Sequence, residues 1–164
     1  MLLQETPEIK VIGNPRMASI QVKGLFNPQE MDKAWYILRT FLSENNIPCE
    51  ETLYVGKCYK KPSDTKEGEL YYMANVSLPE DKEDLKLFPE IELSKLEEME
   101  YACFTHKGSF DNLAESYGYI FQEWAPKNEG VRYDAPSLEI YLNSPDAVSE
   151  EELLTLICIP FNSK

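Results

Sequence analysis

The sequence predicts an α+β fold in which two pseudo-symmetric βαββ repeats share one mainly antiparallel sheet, with two helices packed on it. A pattern of strand, helix, strand and strand occurs twice along the 164 residues. Residues of the same class recur 84 positions apart in the two patterns, as Ala18 with Ala102 and Gly24 with Gly108. Each repeat has about 70 residues, which is small for an independent core, so a single domain over 1–164 with a shared core is predicted.

The first repeat covers about 9–79 and is predicted to contain a strand, a helix and two strands, in the order 16–24, 27–46, 51–59 and 69–79. Alternating apolar residues indicate the first strand, which ends at Gly24. Asn27 can cap the helix, and Pro28 suits its first position. Apolar residues then recur with helical periodicity and predict one buried face, formed by Met31, Ala34, Trp35, Leu38 and Leu42.

The second repeat covers about 93–161 and follows an acidic segment, about 80–92, which is predicted to be a solvated linker. It is predicted to contain a strand, a helix and two strands, in the order 100–108, 109–124, 135–142 and 152–161. Its helix has apolar and aromatic residues at spacings of four and three, which are Leu113, Tyr117, Ile120 and Trp124. This spacing predicts a stripe that faces the core.

Acidic side chains dominate the charge of the chain. There are 29 acidic residues against 16 basic ones, which gives a formal net charge of −13. A surface of this sign repels phosphate backbones and anionic lipids, so neither direct nucleic-acid binding nor membrane binding is expected. The same field attracts cations, including lipophilic organic ones. No apolar run approaches the ~20 residues of a membrane span.

The four cysteines and the single histidine show no metal-binding spacing. Three of the cysteines lie in apolar, strand-like segments and are predicted to be small buried side chains. No metal and no cofactor are therefore expected. The first residues have neither the basic start nor the apolar run of a signal peptide, so a reducing cytoplasm is the predicted location.

The segment APSLEIY, residues 135–141, combines a strand pattern with a carboxylate. Leu138 and Ile140 are predicted to lie on one face of the strand, and Glu139 and Tyr141 on the other. Two interpretations are open at this point. Either Glu139 is an exposed acid on an edge strand, or it forms part of the wall of a pocket.

Four short motifs follow one another through the second repeat. The first is Thr105, His106 and Gly108 at a strand end, and the second is Trp124 near a helix end. The third is Pro136 before a strand with Glu139 and Tyr141, and the last is Ile159 with Pro160. In their order and spacing these motifs resemble the GyrI-like effector-binding domains. Such domains occur in bacterial gyrase-inhibitory proteins and at the C-termini of AraC-type and MerR-type multidrug regulators. The resemblance covers about 9–161 and is looser in the first repeat, where NPRMASIQVKG and GKCYKKP match. No DNA-binding helix-turn-helix extension is expected.

The resemblance implies an aromatic pocket between the repeats, with a buried glutamate that pairs with cationic, lipophilic ligands. That role falls on Glu139, because a carboxylate among aromatic rings is poorly solvated and gains from a cation. Aromatic faces would add cation–π attraction of ~0.5–2 kcal/mol each. The first repeat has Val55 at the equivalent position, which indicates one site rather than two.

The predicted ligand-binding residues are Glu139, Tyr141, Trp124, Tyr101 and Tyr59. For Trp124 core packing is an equal alternative, and for Tyr101 and Tyr59 a place in the core or at the pocket rim is preferred. His106 is predicted to lie at the surface or to bond to a loop, and not to be catalytic.

Three functions remain open from the sequence. The first, which we expect, is a stand-alone cytoplasmic protein that binds a cationic or aromatic small molecule. The second is a hydrolase of electrophilic xenobiotics, in which the same glutamate and a neighbouring tyrosine act on water or on a leaving group. The third is a protein-binding modulator, with gyrase or a separate regulator as its partner, because an acidic surface can compete with DNA.

Overall fold

The computed structural model describes residues 2–22, 27–60 and 70–164. In chain order the strands are β1 (Leu2–Leu3), β2 (Glu8–Ile12), β3 (Arg16–Val22), β4 (Tyr54–Lys60), β5 (Leu70–Leu78), β6 (Glu92–Lys95), β7 (Met99–Lys107), β8 (Ser137–Tyr141) and β9 (Leu154–Pro160). The α-helices are α1 (Pro28–Glu44) and α2 (Leu113–Tyr119). A π-helical segment spans Ile120–Trp124, and short 3-10 turns span Cys49–Glu51, Phe110–Asn112, Ala125–Lys127 and Glu150–Glu152.

The chain forms two compact units. We call Met1–Ile12 together with Met99–Lys164 the terminal unit, and Gly13–Glu98 the internal unit. Within the internal unit the strands lie in the order β4, β5, β3, β6, and every ladder is antiparallel. Within the terminal unit β7 pairs with β1, β2 and β9, and β9 pairs with β8, again antiparallel. The predicted α+β class with mainly antiparallel strands and two helices is confirmed.

The helix of the internal unit begins as the sequence predicts. The Asn27 side chain accepts a hydrogen bond from the Glu30 N–H at 3.3 Å, and Pro28 occupies the first helical turn. The helix ends at Glu44, and Asn46 beyond it adopts a positive φ of 55°. Asparagine tolerates this left-handed conformation better than most residues, so it ends the helix at low cost.

The core of the internal unit lies between α1 and its sheet. The buried helix residues are Ala34, Leu38, Phe41 and Leu42, and Met31 and Trp35 are partly buried against the same cluster. The strands contribute Ala18, Ala74 and Val76 to this core, and each of the three is fully buried. The predicted apolar face of the helix is confirmed, and Phe41 is an additional member of it.

The core of the terminal unit lies under α2 and the π-helical segment that follows it. Its buried members are Ala102, Phe104, Ile120, Ile157 and Ile159. The partly buried residues packed against them include Tyr117 and Trp124. The strands and the helix segments together form one apolar cluster, as the helical spacing of the second repeat predicts.

Three strands and one helix irregularity were not predicted. β1 and β2 pair with β7, and β6 pairs with β3. The segment 109–124, predicted as one helix, is divided into a 3-10 turn, α2 and the π-helical segment. The predicted end of the first strand at Gly24 lies outside the described residues. Among the described helices, none is both long and apolar enough to cross a lipid bilayer.

Replacement of Leu38 by alanine should lower the free energy of unfolding by about 2–5 kcal/mol, because it opens a cavity in a fully buried part of the α1 core. Tyr36→Ala on the same helix is the matched control, since Tyr36 is 67% exposed and its loss should cost under about 1 kcal/mol. Chemical denaturation followed by circular dichroism measures both. Equal losses in the two variants would contradict this account of the core.

Candidate functional site

Glu139 lies in the middle of β8, and both faces of that strand are covered. Leu138 and Ile140 are buried on one face, and Glu139 is only 8% exposed on the other. Glu139 lies opposite Ile157 of β9, so its face of the sheet is the face that carries the core below α2. The interpretation of Glu139 as an exposed edge acid is therefore wrong.

Two tyrosine hydroxyls hold the Glu139 carboxylate. Tyr117, which comes from α2, donates to Oε2 at 2.6 Å, and Tyr141, two residues along β8, donates to Oε1 at 2.8 Å. Both carboxylate oxygens thus accept a short O–H bond, which offsets part of the cost of removing the group from water. The sheet and the helix together fix the orientation of the carboxylate.

Aromatic rings extend outward from each of the two tyrosines. Phe121 stacks on Tyr117 with a centroid separation of 6.4 Å and an interplanar angle of 4°, and Tyr133 lies 6.5 Å beyond Phe121. On the other side, Phe110 meets Tyr141 edge to face at 5.7 Å. Phe110, Phe121 and Tyr133 are all exposed, so the aromatic surface runs from solvent to the buried carboxylate.

No basic side chain pairs with Glu139 in the part of the chain that the structure describes. The ion pairs of that part are Lys10 with Glu8 and Arg132 with Asp134. The Arg132 guanidinium also lowers the pKa of Asp134 through its hydrogen bonds to that carboxylate. Within the same residues, no group of three or more His, Cys, Asp or Glu side chains has the arrangement of a metal site.

The predicted site residues are found in different environments. Glu139 and Tyr141 are in direct contact. Trp124 packs edge to face on Phe104 at 5.0 Å and belongs to the core cluster. Tyr101 is buried, with its hydroxyl 3.9 Å from the Met99 sulfur. The side chain of the fifth residue, Tyr59, lies outside the described part of the chain.

Sequence reasoning did not place Tyr117, Phe110, Phe121 and Tyr133 at the site. The helical spacing predicts that Tyr117 belongs to the core-facing stripe, and this is half correct. Its ring packs on the core cluster, while its hydroxyl reaches Glu139. The exposed rings follow no periodic pattern, so neither helix nor strand spacing identifies them. Only the folded contact between α2 and β8 brings these residues together.

His106 is fully buried, which corrects the expectation of a surface position. Its Nε2 lies 3.2 Å from the Ser109 carbonyl oxygen, which can only accept, so this nitrogen donates. Its Nδ1 then accepts from the buried Ser116 hydroxyl at 2.7 Å. The bond to Ser109 agrees with the predicted loop contact. Through these two hydrogen bonds, the histidine connects β7 to the turn and to the helix that follow it.

Comparison with known proteins assigns the chain to one family. The family described as "GyrI-like small molecule binding domain" matches residues 5–162. Among solved structures, the EcmrR C-terminal domain has a TM-score of 0.77 at 18% identity, and the match covers 100% of both chains.

Two further solved structures share the fold. SAV2435 bound to tetraphenylphosphonium has a TM-score of 0.61 at 16% identity, with 99% of this chain and 95% of that chain covered. A hydrolase encoded by lin2189 from Listeria innocua has a TM-score of 0.59 at 13% identity, with 97% and 93% covered.

The coupling between Tyr117 and Glu139 can be measured by a double-mutant cycle of Tyr117→Phe and Glu139→Gln. We expect a coupling free energy of about 1–3 kcal/mol, because the hydroxyl donates a short bond to a buried carboxylate. Unfolding free energies of the wild type, both single variants and the double variant provide it. A second cycle with Tyr119→Phe, on the same helix, should give a value near zero; equal values would contradict the contact.

Proposed function

We propose that this chain, which belongs to the family of GyrI-like small molecule binding domains, binds lipophilic organic cations at Glu139. The observation that carries the proposal is a buried carboxylate which has tyrosine hydroxyls on both oxygens and no described basic partner. Hydrogen bonds from neutral donors stabilise such a charge without neutralising it. A cationic ligand would supply the missing positive charge.

The aromatic rings around the carboxylate support a ligand that is apolar as well as cationic. The stacked pair of Tyr117 and Phe121 and the edge-to-face pair of Phe110 and Tyr141 present ring faces and edges on either side of Glu139. Aromatic faces attract cations by ~0.5–2 kcal/mol each and also bury apolar surface. A delocalised cation with aromatic substituents fits both properties of the site.

The overall charge of the protein supports the same ligand class. At a net charge of −13 the field of the whole surface concentrates cations near the protein. This effect depends on ionic strength and is not specific to any residue. Binding at the site must therefore be separated from general attraction by variants that change the net charge equally.

Tetraphenylphosphonium is the probe for this proposal, with neutral triphenylphosphine oxide as the comparison ligand. A ligand that binds the native state alone raises its stability by ~2.7 kcal/mol at a hundredfold excess over Kd. We expect the cation to raise Tm of the wild type and the neutral compound to have a much smaller effect. Glu139→Gln should weaken the affinity for the cation about tenfold or more, which corresponds to ~1.4 kcal/mol or more.

Glu115→Gln is the matched control, because Glu115 is exposed on α2 and its replacement changes the net charge by the same amount. This variant should bind the cation like the wild type in isothermal titration calorimetry. If both variants lose affinity equally, the attraction is general and Glu139 is not the contact. If the neutral compound binds as well as the cation, the charge of the ligand is not recognised.

Hydrolysis of electrophilic compounds is a second candidate function, favoured by the 2.6 Å contact between the Tyr117 hydroxyl and Glu139. A carboxylate can take a proton from water while a phenol supplies one to a leaving group. Aryl epoxides in ¹⁸O-labelled water test this, with diol formation followed by mass spectrometry. We expect any turnover to disappear in Glu139→Gln and to persist in Glu115→Gln. Binding without turnover in the wild type would exclude hydrolysis of this class.

A further inference from the structure

Two of the four cysteines face each other across the ladder between β7 and β9. The register places Cys103 directly opposite Cys158, and we call these two residues the cysteine pair. Both side chains are buried, whereas Cys49 is exposed and Cys58 is partly buried. Residues opposite each other in an antiparallel ladder project to the same face of the sheet, so the two sulfur atoms of the pair are neighbours.

The hydrogen bonds at the two ends of the ladder define the type of position that the pair occupies. The Phe161 N–H donates to the Glu100 carbonyl at 3.0 Å, and the Gly108 N–H donates to the Leu153 carbonyl at 2.8 Å. Hydrogen-bonded and non-hydrogen-bonded pairs alternate along an antiparallel ladder. The cysteine pair lies an odd number of steps from both of these bonded pairs, so it occupies a non-hydrogen-bonded position.

A non-hydrogen-bonded position brings two side chains closest together. The Cα atoms of such a pair are ~4.5 Å apart. A disulfide needs Cα atoms about 4.4–6.8 Å apart and Cβ vectors that converge. Pro160, which has no N–H, lies opposite Tyr101 two steps along the ladder, and this agrees with the same alternation. The backbone is therefore already placed for a cross-strand bond between the sulfurs.

The environment distinguishes the two thiols chemically. The neighbouring Cys158 thiol lowers the pKa of Cys103, and the charge of Lys10 on the neighbouring strand β2 acts in the same direction. The neighbouring Cys103 thiol and burial raise the pKa of Cys158. Cys103 lies opposite the exposed Glu8 of the edge strand β2, so it is the member of the pair nearer to solvent.

We propose that Cys103 and Cys158 form a reversible cross-strand disulfide when the protein meets a low-molecular-weight disulfide such as oxidised glutathione. The Cys103 thiolate attacks the glutathione disulfide, forms a mixed disulfide and releases one molecule of glutathione thiol. Cys158 then attacks the Cys103 sulfur and releases the second. Two S–H bonds of the protein are exchanged for one S–S bond, and the two electrons and two protons reduce oxidised glutathione to two thiols.

The disulfide would lie on the face of the sheet opposite to the proposed ligand site. Glu139 faces the same side as its partner Ile157, and Cys158, the next residue along β9, faces the other side. The proposal is therefore independent of the proposed function. Because the bond would join residues 55 positions apart in the chain, it would restrict the unfolded chain and stabilise the fold.

The test uses the variant with both Cys49→Ser and Cys58→Ser, in which the cysteine pair holds the only thiols. The folded variant is incubated with oxidised glutathione, in buffer and in urea well below the unfolding midpoint. It is then denatured and alkylated without reduction. We expect both thiols to disappear, the intact mass to fall by two hydrogens, and a peptide that joins the two cysteines to appear. Tm should rise by several degrees and return to its first value with dithiothreitol.

Two controls make the result decisive. Adding Cys158→Ser to the same variant should leave Cys103 as a mixed disulfide with glutathione and should abolish the rise in Tm. In the wild type, glutathione addition at the exposed Cys49 shows that the oxidant is active. If Cys49 reacts while both thiols of the pair stay free in buffer and in urea, or if only mixed disulfides and dimers form, the proposal is wrong.

Discussion

The antiparallel register of β7, β9 and β8 is the constraint on which the chemistry of the terminal unit depends. One row of this register aligns Phe104, Ile157 and Glu139 across the three strands. Side chains alternate strictly between the two faces of a sheet, so a slip by one residue would turn Glu139 away from Tyr117. It would also place Tyr141 on the other face and expose the aliphatic core. The apolar core and the carboxylate site are thus specified by the same pairing.

The buried carboxylate is expensive for the fold, and its neighbours show how the cost is limited. An ionised group removed from water loses several kcal/mol unless it regains polar contacts. Two tyrosine hydroxyls supply such contacts, and the ring of one of them, Tyr117, also packs against the apolar core. Replacing this arrangement by an aliphatic residue would be simpler for stability alone. A polar group in this costly position beside exposed aromatic rings is the observation that supports the proposed ligand contact at Glu139.

Much of the fold could be predicted from the sequence, because it is encoded in local periodicity. The cap at Asn27, the helix face around Leu38 and the strand with Glu139 each follow from residues close together in the chain. β2 and β6 could not be predicted in this way, since their side chains are mostly exposed and give no apolar alternation. These strands form because β7 and β3 offer unpaired backbone groups at their edges, which is a tertiary effect.

The candidate site could be predicted only in part from the sequence, because some of its contacts depend on tertiary packing. Glu139 and Tyr141 are two residues apart on one strand, and strand geometry alone places them side by side. Tyr117 precedes Glu139 by 22 positions, and its role depends on how α2 lies over β8. The burial of His106 could not be predicted, because a lone polar residue near a strand end has no sequence pattern that indicates its burial. Its partner Ser116 becomes apparent only when the helix is packed in place.

Both units contain a strand, an α-helix and two strands in the same order, but they differ in the residues and the helix geometry around the candidate site. The sequence offset predicts Val55 as the counterpart of Glu139, and this prediction is wrong, because Val55 lies opposite Asn75 and outside the core under α1. On the face that meets α1 the internal unit has Tyr54 instead. Its helix α1 is regular over 17 residues, whereas α2 gives way after seven residues to a π-helical segment. Such segments are rare and frequently mark functional positions. Here the segment begins between Tyr117 and Phe121, whose rings lie parallel beside the carboxylate. One unit therefore keeps the regular packing that stability favours, and the other departs from it where a charged group and exposed rings meet.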